Sequence, residues 1–172
     1  MNPVRIYDYL TQARQKLFGW TRPLSQEQYT QEFPFGLKTL RATLLEMAGA
    51  EWIYGRRLGG EPIPPRPEWP INADRLPTFG ALEPVWTAQE PRTRALLAGI
   101  GDWTQSREWL SIAPPPGKRV VLAATLSDLV TQLVLHEVHH RAQAMAMLRQ
   151  LGTAAQNLDY SILMFSRREE PA

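Results

Sequence analysis

Cysteine is absent from all 172 residues. Disulfides, thiolate catalysis and cysteine-based zinc sites are therefore excluded. No apolar run approaches the ~18 residues needed to span a bilayer, so no membrane association is expected. The N-terminal stretch MNPVRIYDYL has no extended apolar segment of the secretory kind, and the expected location is the cytoplasm. Charge of one sign is also lacking. The net charge is only +2 and the charges are scattered, which argues against a nucleic-acid-coating protein despite the basic isoelectric point. The longest basic runs, Arg56-Arg57 and Arg167-Arg168, read as solvated or helix-terminal cations. There is no glycine-rich phosphate loop, and the isolated serines and threonines form no nucleophile signature.

What is present is an ordinary apolar fraction, 44%, with 21% charged residues, enough to build one domain around a hydrophobic core. Helical periodicity dominates. Residues 3–18 read as a first helix, with Asn2 as cap, Pro3 in the first turn and Gly19 at the end. A connection over 23–36 holds a short helical turn capped by Ser25. A second helix is expected from Leu37 to Leu58, stopped by Gly59-Gly60. Residues 61–77 carry six prolines and Trp69 and read as a packed crossover. A third helix is expected between Thr78 and Ile100, with Pro84 in a first turn and Pro91 kinking or breaking it. Residues 107–123 suggest a short β-ribbon around the turn APPPG. Thr125 and Asp128 mark the start of a fourth helix that runs to Leu151, and a short helix over 158–165 closes the chain. The expected fold is all-α: a four-helix bundle with that β-ribbon before the last long helix and the short C-terminal helix after it.

All three histidines fall within His136-Glu137-Val138-His139-His140. Residues four apart on a helix differ by about 40° in direction, so His136 and His140 project from one face, a spacing that suits two imidazoles on one ion. At about 100° per residue, the fourth helix presents Leu126, Leu129, Leu133, His136, His140, Ala144, Met147 and Leu151 as one stripe. The pair therefore interrupts an apolar seam, while His139 lies off it. Buried imidazoles need partners, and either a metal or hydrogen-bonded carboxylates would serve. Glu137 points about 100° from His136 and reads as a poor place for a general base. On the second helix, Leu40, Leu44, Met47, Tyr54 and Leu58 form the densest stripe, and Glu51 lies on it. Glu51 is thus a candidate ligand, or an acceptor for an imidazole N–H. The tryptophans and Met145 and Met147 read chiefly as packing.

The segment LVLHEVHHRAQAMAMLRQLG, 133–152, resembles the last bundle helix of the DinB/YfiT-like family, with its His-x-x-x-His-Arg-Gly-Gln pattern; Ala142 stands where the family usually has glycine. TLRATLLEMAGAEWIYGRRL, 39–58, resembles the family's second helix. The resemblance covers most of the chain. It implies a DinB/YfiT-type bundle and a metal-dependent enzyme acting on a small-molecule substrate. In such an enzyme a divalent ion (Zn, Ni, Fe or Mn) would activate a water or a low-molecular-weight thiol for hydrolysis or thiol transfer. It also implies pairing as a homodimer, while the small, scattered net charge leaves no nucleic-acid partner expected. By resemblance the ligands are His136, His140 and Glu46, the last standing where the family's first metal histidine belongs. Two histidines and a carboxylate can still close a site with open positions. Gln143 is placed to orient a ligand, and Arg141 is a candidate substrate contact. The alternative implied role is a non-catalytic, stress-related binding or scaffold protein with a structural or vestigial ion. The resemblance assigns no catalytic residue.

Overall fold

The computed structural model describes residues 2–166 and 168; Arg167 of the basic pair named above lies outside them. The chain is mostly helical with one small antiparallel sheet. The first helix, α1 (Pro3–Thr21), is capped by Asn2, whose side chain accepts from the Arg5 N–H. It runs through Gly19, which was expected to end it. Gly19 costs only intrinsic propensity there, and the stop comes just before Pro23, which cannot continue the ladder. The short α2 (Gln26–Thr30) starts in a reciprocal capping box between Ser25 and Gln28.

The second long helix, α3 (Leu40–Leu58), begins three residues later than expected. Lys38 has φ 68°, a left-handed conformation that no helix interior allows, and Thr39 takes the cap position. Residues 61–77 pack Trp69, Ile71 and Leu76 into the interior around a single 3₁₀ turn, Arg66–Glu68. The third helix of the sequence reading is two helices, α4 (Phe79–Thr87) and α5 (Glu90–Gly99). Pro91 has no N–H for the Thr87 carbonyl, so the chain restarts with Pro91 in the first turn of α5. Pro84 lies inside α4 instead of in its first turn.

The ribbon is β1 (Ser106–Leu110) paired with β2 (Val121–Thr125), Ser106 opposite Thr125 and Leu110 opposite Val121. It leads directly into α6 (Leu126–Gln150), which opens with the Thr125–Asp128 capping box. The last helix, α7 (Tyr160–Met164), is shorter than expected. The core is built mainly where α3 lies against α6, with α1 packing on α5, α6 and α7. Trp86, Phe18, Leu10, Leu17, Leu44 and Met47 are among its most buried side chains. Among the described residues no helix is long and apolar enough to cross a membrane.

Candidate metal centre

The contact between α3 and α6 decides which side chains meet. Glu46, two turns into α3, faces His136 and His140 in the middle of α6. One donor atom from each lies within 4.8 Å of the other two. Nε2 of His136 stands 3.6 Å from Oε1 of Glu46, and the two imidazole rings have centroids 4.4 Å apart. Two ligands held about 2.1 Å from a tetrahedral ion lie roughly 3.4 Å from each other, so the three donors need only a small contraction to share one.

The electrostatics suit a cation. Glu46 is held below the usual carboxyl pKa, first by the facing His136 ring and then by the charges of His140 and Arg66, against the opposing effect of burial. Burial lowers the pKa of His140, keeping the ring neutral and its lone pair free; the neighbouring Gln143 opposes this. Glu46 is 46% exposed and His136 19%, so the cluster is open to solvent on the glutamate side.

Gln143 lies where a ligand-orienting residue is wanted. Its Oε1 is 3.0 Å from Nδ1 of His140, and its Nε2 is 2.9 Å from Nε2 of His139. An amide oxygen accepts, so Nδ1 of His140 carries the proton and Nε2 is left for a cation. Gly36 fixes the other side of the amide. Its φ is 56°, and a Cβ there would stand 2.9 Å from the Gln143 oxygen. His136 has no such helper among the described residues: its Nδ1 is buried without a hydrogen-bond partner there.

The histidine pair is not at the centre of the seam, as the apolar stripe suggested. The buried line of α6 runs Leu133, Glu137, Arg141, Ala144, Leu148, and His136 and His140 stand at its edge, half-buried. Glu137, which the sequence pointed away from the site, is 2% exposed, and Glu51 is wholly buried. Arg14 joins them: its Nη2 is 2.6 Å from Oε2 of Glu51 and 2.9 Å from Oε2 of Glu137. Glu51 also accepts from the Tyr7 hydroxyl at 2.5 Å, the Trp86 indole at 2.8 Å and the Thr93 hydroxyl at 3.0 Å. Four donors saturate it, so the structure does not bring Glu51 into the Glu46–His136–His140 group. Arg141 is 4% exposed, donates to the Tyr9 hydroxyl and stacks on that ring. The structure buries this candidate substrate contact in the interior and leaves its Nη1 without a hydrogen-bond partner among the described residues. The sequence carried one unread signal for this network. Arg14 follows Tyr7 by seven residues and Leu10 by four, and so lies on the apolar face of α1.

A cleft of about 710 Å³ opens beside the cluster between α3 and the proline-rich crossover. Glu46 lines it, with Leu45, Ile53, Trp69 and the guanidinium-bearing Arg41 and Arg66.

A family model described as the DinB family matches residues 1–171. The chain belongs to the DinB family. Protein DinB of Bacillus subtilis (strain 168) is 36% identical over 177 residues, covering 98% of this chain and 96% of that protein. In this DinB-family chain the donor group that can hold a metal is two imidazoles and a carboxylate, with Glu46 at the address where the resemblance placed a histidine.

Proposed function

We propose that the chain is a divalent-metal protein with the four-helix DinB-type bundle over a single domain, and that His136, His140 and Glu46 are its ligands. The observation that carries this is the convergence of those three donors, from two helices, beside an open cleft. Two histidines and a carboxylate suit zinc, nickel, iron or manganese and leave coordination positions free. The function that follows is a metal-dependent enzyme acting on a small molecule in the cytoplasm, either a hydrolase or a transferase of low-molecular-weight thiols. A bound ion would supply Lewis acidity, polarising a substrate oxygen or lowering the pKa of a water or thiol. The exposure of Glu46 favours an exchangeable site over a closed structural one. Gln143 would hold His140 in its metal-binding tautomer.

A homodimer is part of this reading. Val134, Val138 and Tyr160 line an apolar groove, and Phe165 lies against Tyr160 and is 61% exposed.

The test is metal analysis of protein purified without added metal, beside the His136→Ala/His140→Ala double variant. About one equivalent in the parent and almost none in the variant is the expected result; equal contents defeat the assignment. Metal-loaded protein that lacks exchangeable positions and turns over neither ester, amide nor thiol-acceptor substrates would favour the non-catalytic scaffold instead.

A further inference from the structure

We propose that the cleft beside Glu46 takes an organic anion, an apolar or aromatic body carrying a carboxylate, and that Arg66 is the residue that reads the carboxylate. The volume, about 710 Å³, lies in the range of small-molecule sites. The walls are mainly aliphatic and aromatic: Leu45, Ile53, Trp69, Ile71 and Ile112.

Two cations stand on those walls, and they are not equivalent. Arg41 donates to the carbonyl oxygens of Ala73 and Leu76 and so holds the crossover in place. Arg66 is exposed at the start of the 3₁₀ turn, with its guanidinium 5.7 Å from the centre of the Trp69 ring. It forms no salt bridge with any acid among the described residues. An arginine held beside an aromatic ring, within the field of Glu46 but in no salt bridge with it, keeps its guanidinium donors open to an incoming carboxylate.

The charge balance sharpens the ligand's sign. Glu46 and Asp74 line the same cleft and offset Arg41 and Arg66. This step rests on the metal reading: a divalent ion on Glu46 would leave the cleft net positive. Anion and metal should then strengthen each other's binding by the same factor.

The probes are 1-naphthaleneacetate and its neutral amide, titrated into full-length protein by calorimetry and by tryptophan fluorescence. The protein is used zinc-loaded and metal-stripped, as parent and as Arg66→Gln. Zinc-loaded parent should bind the acid about tenfold more tightly than the amide, the scale of one charge-assisted hydrogen bond. Arg66→Gln should erase that preference while its zinc content and thermal midpoint match the parent. Equal binding of acid and amide, no binding of either, or a preference that survives Arg66→Gln overturns the proposal. Failure to take up zinc overturns the metal reading alone. The cleft is then judged on metal-free protein, where an Arg66-dependent preference for the acid supports it and the lack of one overturns it.

Discussion

The Gln143 side-chain oxygen lies 3.0 Å from Nδ1 of His140, one turn along the same helix. That contact selects the tautomer whose other nitrogen is free. Partners of this kind are worth about 10–100-fold in metal affinity. Gln143→Leu should therefore weaken zinc binding by that factor, measured in competition with a chromophoric chelator, while leaving thermal stability close to the parent's. Unchanged affinity would mean that the tautomer is set by something else.

Gly36 should behave as a remote part of the same device. Its φ of 56° costs an alanine about 1–2 kcal/mol, and the new Cβ would also displace the Gln143 amide. Gly36→Ala is expected to lower both stability and zinc affinity. Gly36→Asn tolerates the backbone better yet still carries a Cβ, so it should recover part of the stability and none of the affinity. Urea unfolding and chelator competition on the two variants separate the effects.

The metal-free protein should lose stability as the pH falls through the histidine range. Burial holds the pKa of His140 below its ordinary 6.5. Between the folded and unfolded values the unfolded chain binds a proton that the native protein does not. The contribution is complete above about pH 6.5 and is lost as the pH falls through the folded value. Glu46, also lowered, acts with the same sign below its ordinary 4.5. Glu137, raised first by burial, acts oppositely: its contribution is full below 4.5 and fades as the pH rises through the folded value. Thermal midpoints from about pH 7.5 to about pH 5 should decline in the parent and flatten in His140→Gln. Parallel curves would remove His140 as the cause.

Local chemistry made much of this fold legible. The Thr125–Asp128 and Ser25–Gln28 caps, the ribbon and the break near Pro91 each depend on a few adjacent residues, and each lies where the sequence placed it to within a turn. The His136–His140 pairing was legible for the same reason, since four residues make one turn. The burial of Glu137 and Arg141 was not. A stripe drawn through apolar residues passes over charged ones by construction, and α6 is covered by both α1 and α3. Only the position of Arg14 on another helix shows that Glu137 can be neutralised in the interior. The cleft was hidden too, because it is made by the crossover folding back on α3.

Glu46 and Glu51, five residues apart on α3, should separate cleanly under the same substitution. Arg14 bridges Glu51 and Glu137 with all three side chains almost fully buried, and removing one partner of such a group costs about 3–5 kcal/mol. Glu51→Gln keeps the volume but loses the charge facing Arg14. It should lower the unfolding free energy by an amount approaching that range and leave the metal stoichiometry of the surviving folded protein intact. Glu46→Gln lies at an exposed position, so it should leave stability nearly unchanged and deplete the metal. Arg14→Met alone strands two buried carboxylates. Combined with Glu51→Gln and Glu137→Gln it should recover part of the loss, because neither stranded carboxylate remains, although the buried Arg141 then loses the charge of Glu137. Denaturant unfolding together with metal analysis of each variant decides the matter. Metal loss in Glu51→Gln with retention in Glu46→Gln would exchange the roles of the two glutamates.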